Sequence, residues 1–160
     1  MTVELIRTTG LDPRSEPLRN EMDTETFALY GDYFTGIGPE ARERLDAALH
    51  TEQADLEYVV IALENGVPVG HAALRPLDEG FEVKKVFVQV PSRGRGISKA
   101  LMAEVEQIAR ELGETELKLQ TGEKQHAAIA LYAAIGYVDI PSFGPYEGLD
   151  DLVFMGKTLR

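Results

Sequence analysis

Residues 93–98 run Arg-Gly-Arg-Gly-Ile-Ser, two permanent cations interleaved with two residues that have no side chain. Downstream, Ile97, Leu101, Val105, Ile108 and Leu112 recur at helical spacing, and Gly113 stands where a C-terminal glycine cap belongs. Upstream, Phe81–Val88 is rich in β-branched and aromatic residues, the composition of a strand, and Pro91 marks a turn between the two. A strand, a glycine-rich turn and a helix N-terminus together make an anion site. Unpaired first-turn amides converge there, the helix dipole adds partial positive charge, and the missing side chains let a phosphate approach the backbone. With Arg93 and Arg95 beside it, the pattern is that of a pyrophosphate cradle. Two other phosphate-binding patterns do not fit. A P-loop requires Gly-x-x-x-x-Gly-Lys-Ser/Thr, a spacing found nowhere in the chain. A dinucleotide fingerprint requires Gly-x-Gly-x-x-Gly, and Lys99 stands at the position of its third glycine.

Composition narrows the partners of such a cradle. A chain of 160 residues, 44% hydrophobic, suffices for one domain with a sizeable core, expected over residues 1–160. The net charge of −11 disfavours nucleic acid, whose binders neutralise phosphate with excess lysine and arginine. There is no cysteine, which excludes disulfides, a thiol nucleophile and cysteine-ligated zinc and fits a reducing compartment. The first residues, Met1-Thr2-Val3-Glu4-Leu5-Ile6-Arg7, lack the apolar core of a signal peptide, and the apolar runs are too short to span a bilayer. A cytoplasmic protein without a membrane partner is the expectation. His50, His71 and His126 are scattered, with no second ligand at useful spacing, so no metal is expected.

The elements that must position the cradle follow from periodicity. Val3–Thr8 alternates as a first strand, and residues 17–30 hold a helix around Leu18, Met22 and Leu29. Residues 31–39 are loop-like, with Gly31, Gly36, Gly38 and Pro39; Pro39 then opens a helix carrying Ala41, Leu45, Ala48 and Leu49. Residues 58–63 form a buried strand that Asn65-Gly66 turns back through residues 67–74, a hairpin whose return strand Pro68 and Gly70 make irregular at its start. After the cradle helix come a strand at 115–121, a helix at 124–135 ended by Gly136, a short strand at 137–140 and a closing strand at 152–159. The strand–helix–strand unit around the cradle predicts a parallel pair. The whole is a mixed α/β sheet with helices on both faces. A parallel pair that splays beside the cradle would open a slot for a long, thin ligand.

The cradle and the later helix together resemble the motifs of the GNAT superfamily of N-acetyltransferases. Its acyl-CoA loop is Arg/Gln-x-x-Gly-x-Gly/Ala, met here by Arg93, Gly94, Arg95, Gly96, Ile97 and Ser98, with Ser98 as the last small residue. Its later helix runs Asn-x-x-Ala-x-x-Leu-Tyr-x-x-x-Gly-Phe/Tyr. Gln125, Ala128, Leu131, Tyr132, Gly136 and Tyr137 meet that pattern, with Gln125 in place of Asn. Residues 136–146 and the closing Phe154-Met155-Gly156-Lys157-Thr158-Leu159 resemble a bacterial subgroup of small-molecule or general acetyltransferases. That subgroup usually has Leu-Glu-Thr-Gly where this chain has Leu119-Gln120-Thr121-Gly122. The resemblance is strongest over residues 81–146 and weak before Tyr58. It implies a mixed, mostly antiparallel sheet with a splayed parallel pair, and a homodimer as one assembly.

By the same resemblance, the activity is transfer of an acetyl group from acetyl-CoA to a primary amine of a small molecule or peptide, by direct attack. Tyr132 is the implied general acid at the departing thiolate. A phenol near pKa 10 giving its proton to a thiol near 8.5 is uphill by about 2 kcal/mol, so a strong hydrogen bond to the developing sulfur charge does most of that work. Glu82, near the start of the central strand, is the implied base. An amine of pKa about 10.4 is neutral in only about one molecule in 2,500 at pH 7, and a carboxylate near 4.3 acts on it through water or after burial raises its pKa. Lys84 and Lys85, if near, oppose that rise. The backbone of Val86, Phe87 and Val88 is expected to pair with the pantetheine amides and polarise the acetyl carbonyl, and Gln125 to reach the pantetheine arm. Tyr30, Phe143 and Tyr146 are candidates for the acceptor pocket, although aromatics near loops more often simply pack. A non-catalytic acyl-CoA-binding module is the alternative, and Tyr132 argues against it because a binder needs no acid at sulfur.

Overall fold

Two-residue periodicity sorts the side chains of this chain onto the two faces of one sheet, and helices cover both. The computed structural model describes residues 2–51, 53–149 and 152–160. Strands β1 (Val3–Thr8), β2 (Tyr58–Glu64), β3 (Val67–Pro76), β4 (Phe81–Val88), β5 (Glu116–Gly122), β6 (Val138–Asp139) and β7 (Leu152–Thr158) lie in the order β1-β2-β3-β4-β5-β7-β6. Every neighbouring pair is antiparallel except β4 with β5. The described α-helices are α1 (Ser15–Gly36), α2 (Pro39–Leu49), α3 (Ile97–Glu111) and α4 (His126–Ala134), with short 3-10 turns at Gln53–Asp55, Val90–Ser92 and Gly144–Tyr146. On one face Val60, Ala62, Ala72 and Leu74 pack against Leu101, Met102, Val105 and Ile108 of α3. On the other, Val59, Ile61 and Ala73 pack with Leu18 of α1. Each fully buried aliphatic side chain stabilises the fold by about 1.5–3 kcal/mol, so the two clusters dominate its energetics.

Local expectations are met at the hairpin. Asn65 (φ 51°) and Gly66 (φ 80°) both adopt the left-handed conformation that a two-residue type I′ turn requires. The return strand is irregular where expected: Ala62 pairs with Gly70 but Leu63 with Pro68, leaving Val69 as the extra residue. Of the stretch 31–39, expected as a loop, residues 31–36 are instead the last part of α1, which starts at Ser15 and continues to Gly36, and only residues 37 and 38 separate it from α2. A helix-interior glycine costs about 1 kcal/mol relative to alanine. The burial of Leu18 and an anchor at Tyr30, described below, offset that. Among the described residues no helix is long and apolar enough to cross a membrane.

The site depends on where the parallel pair stops. β4 and β5 pair only at Glu82 with Lys118 and Val83 with Leu119. On its other side, β4 pairs Lys84 with Ala73 and Phe87 with His71, so Lys85 and Val86 together face the single residue Ala72. This is a β-bulge, and Lys85 takes φ 56° within it. A bulge bends its strand and increases the local twist, and here it lies where β4 parts from β5.

Candidate active site

A cavity of about 710 Å³ occupies the parting of β4 and β5. Its floor is the strand edge Val86, Phe87 and Val88. At one end stand Arg93, Gly94, Gly96, Ile97, Ser98 and Lys99; at the other, Gln125, Ala128, Leu131 and Tyr132 of α4 and the turn before it. The sequence-predicted cradle, strand edge and α4 positions therefore meet in one space. Gly94 (φ 81°) and Gly96 (φ 80°) hold the left-handed conformation of the turn, and no atom lies within 4 Å of where a Cβ would stand on either. The first intrahelical bond of α3 runs from Ala100 N to Gly96 O, at 3.1 Å. The amides of Ile97, Ser98 and Lys99 thus belong to the first turn, which has no upstream partners to offer them. Arg93 and Lys99 at this end and Lys124 at the other put three cations on the lining, with the carboxylate of Glu25 beside Arg93, in a chain of net charge −11.

Arg93 is held in place from three directions. Its Nε donates to Val88 O at 2.7 Å, its Nη2 meets Glu25 Oε2 at 2.8 Å, and its guanidinium lies 5.4 Å from the centre of the Phe87 ring. Arg95, expected beside it, is not on the cavity lining. Its guanidinium pairs with Glu64 at the end of β2 and donates through Nε to Ser92 O at 3.4 Å. In the turn, alternate side chains leave in different directions, so only Arg93 faces the cavity.

Tyr132 is 6% exposed, and its ring meets Tyr137 edge-on at 6.0 Å between centroids. Burial pushes its phenol above the ordinary value, which makes complete proton transfer to a thiolate still less favourable and leaves hydrogen-bond donation as the chemistry it is fitted for.

Glu82 lies elsewhere. Strand alternation turns it away from Val83 and the α3 core, to the other face, where it is wholly buried and pairs at 2.5 Å with Arg75 Nη2. Arg75 also donates to His50 O (3.2 Å), Thr51 Oγ1 (3.3 Å) and Tyr146 Oη (3.0 Å). Lys84 Nζ donates to the same phenol at 3.1 Å, and burial lowers its pKa to about 8. Of the two lysines expected to oppose Glu82, Lys84 joins this cluster, whereas Lys85 reaches Asp23 of α1 at 3.1 Å. Glu82 is not on the cavity lining, and its Oε2 is buried without a partner.

The three aromatic residues expected at an acceptor pocket are not on that lining either. Phe143 and Tyr146 pack with Phe154 in a cluster of tilted and edge-on rings, and burial pushes the Tyr146 phenol well above its ordinary range. Tyr30 is an anchor: its hydroxyl accepts from Lys124 N at 2.9 Å, and the Lys124 ammonium lies 5.5 Å from its ring centre.

The far wall is α1: the first helices were expected to help build an acceptor pocket, through Tyr30, but the α1 residues that line the cavity were not singled out. Met22, Glu25, Thr26 and Leu29 line the cavity, and their spacing of three, four and seven residues marks a single helical face. That signal was visible, but nothing local says which surface a face will cover. Among the described residues no group of three or more His, Asp or Glu side chains is placed to hold a metal ion.

Comparison with known proteins adds to this geometry. Residues 24–137 match the family model described as the acetyltransferase (GNAT) family. Over 108 residues the chain is 42% identical to an IAA acetyltransferase of Azospirillum brasilense, a match covering 66% of this chain and 69% of that relative. It is 36% identical over 84 residues to human N-acetyltransferase 8, covering 52% of this chain and 36% of that longer protein. An acyl-CoA N-acyltransferase structure from Klebsiella pneumoniae superposes with a TM-score of 0.78 at 27% identity, covering 99% of both chains. An Elizabethkingia anophelis GNAT acetyltransferase with acetyl-CoA bound superposes with a TM-score of 0.66 at 18% identity, covering 98% of both, a likeness of fold. Family match, sheet order and the cavity at the parting of β4 and β5 agree: the chain belongs to the GNAT family and is an N-acetyltransferase.

Proposed function

We propose that the chain moves an acetyl group from acetyl-CoA to a primary amine by direct attack, with the cofactor lying along the cavity between β4 and β5. One observation carries the proposal: a single space joins the first-turn amides of α3, the cations Arg93, Lys99 and Lys124, the open β4 edge and Tyr132. A polyphosphate suits the first end, an extended amide-containing arm suits the edge of Val86–Val88, and a thioester would then lie toward the tyrosine. The bound co-substrate supplies the activated acyl group. Tyr132 donates a hydrogen bond where charge develops on the departing sulfur. Glu82 is the proposed base, and because it is off the cavity lining, wholly buried and paired with Arg75, it acts only through a relay of water from the cavity. The acceptor is an amine of a small molecule or peptide.

The test is CoA release followed by a thiol reagent across a panel of amines and peptides, with acetyl-CoA binding measured in parallel. The chain has no cysteine, so the background is low. Turnover with some acceptor is expected to fall by about 10²–10³-fold in Tyr132→Phe while acetyl-CoA binding persists. Equal turnover in the variant would remove Tyr132 from the reaction. Binding without turnover on a broad panel would refute direct transfer to an amine.

A further inference from the structure

Beneath α1, on the face of the sheet opposite α3, a buried chain of hydrogen bonds ends at the bulge that parts β4 from β5. Arg19 Nε donates to Ser15 Oγ at 3.0 Å, and Ser15 Oγ lies 2.7 Å from His71 Nε2. His71 Nδ1 lies 2.8 Å from the carbonyl oxygen of Lys85. Ser15 and His71 are both wholly buried. The two ends of this chain fix the direction of every proton in it. A guanidinium only donates and a carbonyl only accepts. The Nδ1–H of His71 must therefore donate to Lys85 O, Nε2 must be the lone pair, and the Ser15 hydroxyl must give its hydrogen to it. A cationic ring would put hydrogens on both nitrogens, so the buried Ser15 hydroxyl would accept twice and its own hydrogen would be left without an acceptor.

Lys85 O cannot be served in any regular way. Its residue sits in the left-handed conformation inside the bulge, where two residues face one and the ladder is interrupted. A half-buried carbonyl that loses its partner is destabilised, so the backbone would turn to find one if His71 were absent. The residues that would turn with it are the next in the chain, Val86, Phe87 and Val88, the edge that lines the cavity.

We infer that His71 is a positioning residue for acyl-CoA binding: by donating to Lys85 O it holds the β4 bulge, and the bulge aims the open strand edge into the cavity. This rests on the reading of the cavity as an acyl-CoA site.

Three variants of the full chain test it. His71→Leu removes both ring nitrogens. His71→Asn keeps an N–H near the place of Nδ1. Ile61→Val trims the apolar cluster on the same face, opposite His71 in the ladder, without touching the bulge. Acetyl-CoA affinity is read by calorimetry on the folded proteins, amide exchange on residues 84–88, and the ring tautomer by ¹⁵N NMR of the wild type. His71→Leu is expected to weaken acetyl-CoA binding by about 10- to 100-fold and to speed exchange across the bulge. His71→Asn should restore affinity to within about threefold. Ile61→Val should lower Tm and leave affinity at the wild-type value. Wild-type affinity in a folded His71→Leu, an Asn variant no better than Leu, or an Nε2–H tautomer would each overturn the inference. If His71→Leu does not fold, the Asn variant and the tautomer decide it. If the wild type binds no acetyl-CoA, the cofactor reading fails and the positioning role with it, whereas exchange and tautomer still report separately whether the staple holds the bulge.

Discussion

Gly122, the last residue of β5, carries a prediction whose sign reverses with its neighbour. A Cβ built there would lie 1.9 Å from the Tyr30 hydroxyl and 2.5 Å from the carbon that bears it, so Gly122→Ala must push the Tyr30 ring aside. The displaced ring loses its bond from Lys124 N, at 2.9 Å, and its contact with the Lys124 ammonium, at 5.5 Å. Such a hydrogen bond contributes about 1 kcal/mol and an exposed cation–π contact about 0.5–1 kcal/mol. Against this, glycine to alanine restricts the unfolded chain and stabilises by about 0.4–1 kcal/mol where the backbone tolerates it. Gly122 shows no positive φ, so that gain applies. The expected net effect is destabilisation by about 0.5–1.5 kcal/mol, or about 2–5 °C in Tm for a chain of this size. In a Tyr30→Ala background the obstacle is gone, and the same substitution should stabilise by about 0.4–1 kcal/mol. The cycle is measured by urea unfolding of the four proteins, with an expected coupling of about 1–2 kcal/mol. Because Lys124 and Gln125 line the cavity, Gly122→Ala should also raise KM for acetyl-CoA more than it lowers kcat. Equal destabilisation in both backgrounds would refute the role given to Tyr30 as the anchor between α1 and the turn before α4.

Three further outcomes follow from charges and burial. Glu25→Gln removes the carboxylate facing Arg93 across the cavity; the pair is half exposed, at 42% and 51%, so acetyl-CoA should bind tighter by no more than about fivefold, and less so at high salt. Arg93→Ala should weaken acetyl-CoA binding and flatten its salt dependence, whereas Arg95→Ala, whose guanidinium pairs with Glu64, should change both little; calorimetry at two ionic strengths separates them. Burial, aided by the charges of Arg19 and Lys85, lowers the pKa of His71 from 6.5 to about 4. The unfolded chain therefore binds the extra proton between pH 6.5 and 4. Stability is full above 6.5 and is lost as the pH falls toward 4, by about 3 kcal/mol relative to His71→Asn in urea unfolding.

Much of the fold was readable because its signals are local. The alternation of Val3–Thr8, the Asn65-Gly66 turn and the 3.6-residue stripe of α3 each lie within a few residues, and the elements stand there. The end of α1 was not readable. Gly31 and Gly36 resemble a loop, and only the burial of Leu18 and the distant anchor at Lys124 let the helix run through them.

The site divides along the same line. Sequence alone located the glycine turn, the strand before it and the helical face that carries Tyr132, because a glycine turn that opens a helix leaves first-turn amides unpaired and a helical face carries its own spacing. Tertiary structure decided which of two neighbouring arginines serves the cavity, through Glu25 for Arg93 and Glu64 for Arg95. It decided that Glu82 pairs with Arg75 across β3 and β4, and that α1 is the far wall. It also placed the bulge at Lys85, because His71 reaches that carbonyl from the neighbouring strand. A side chain's chemistry belongs to its residue, but its partner is set by strand register and helix packing, which join residues far apart in the chain.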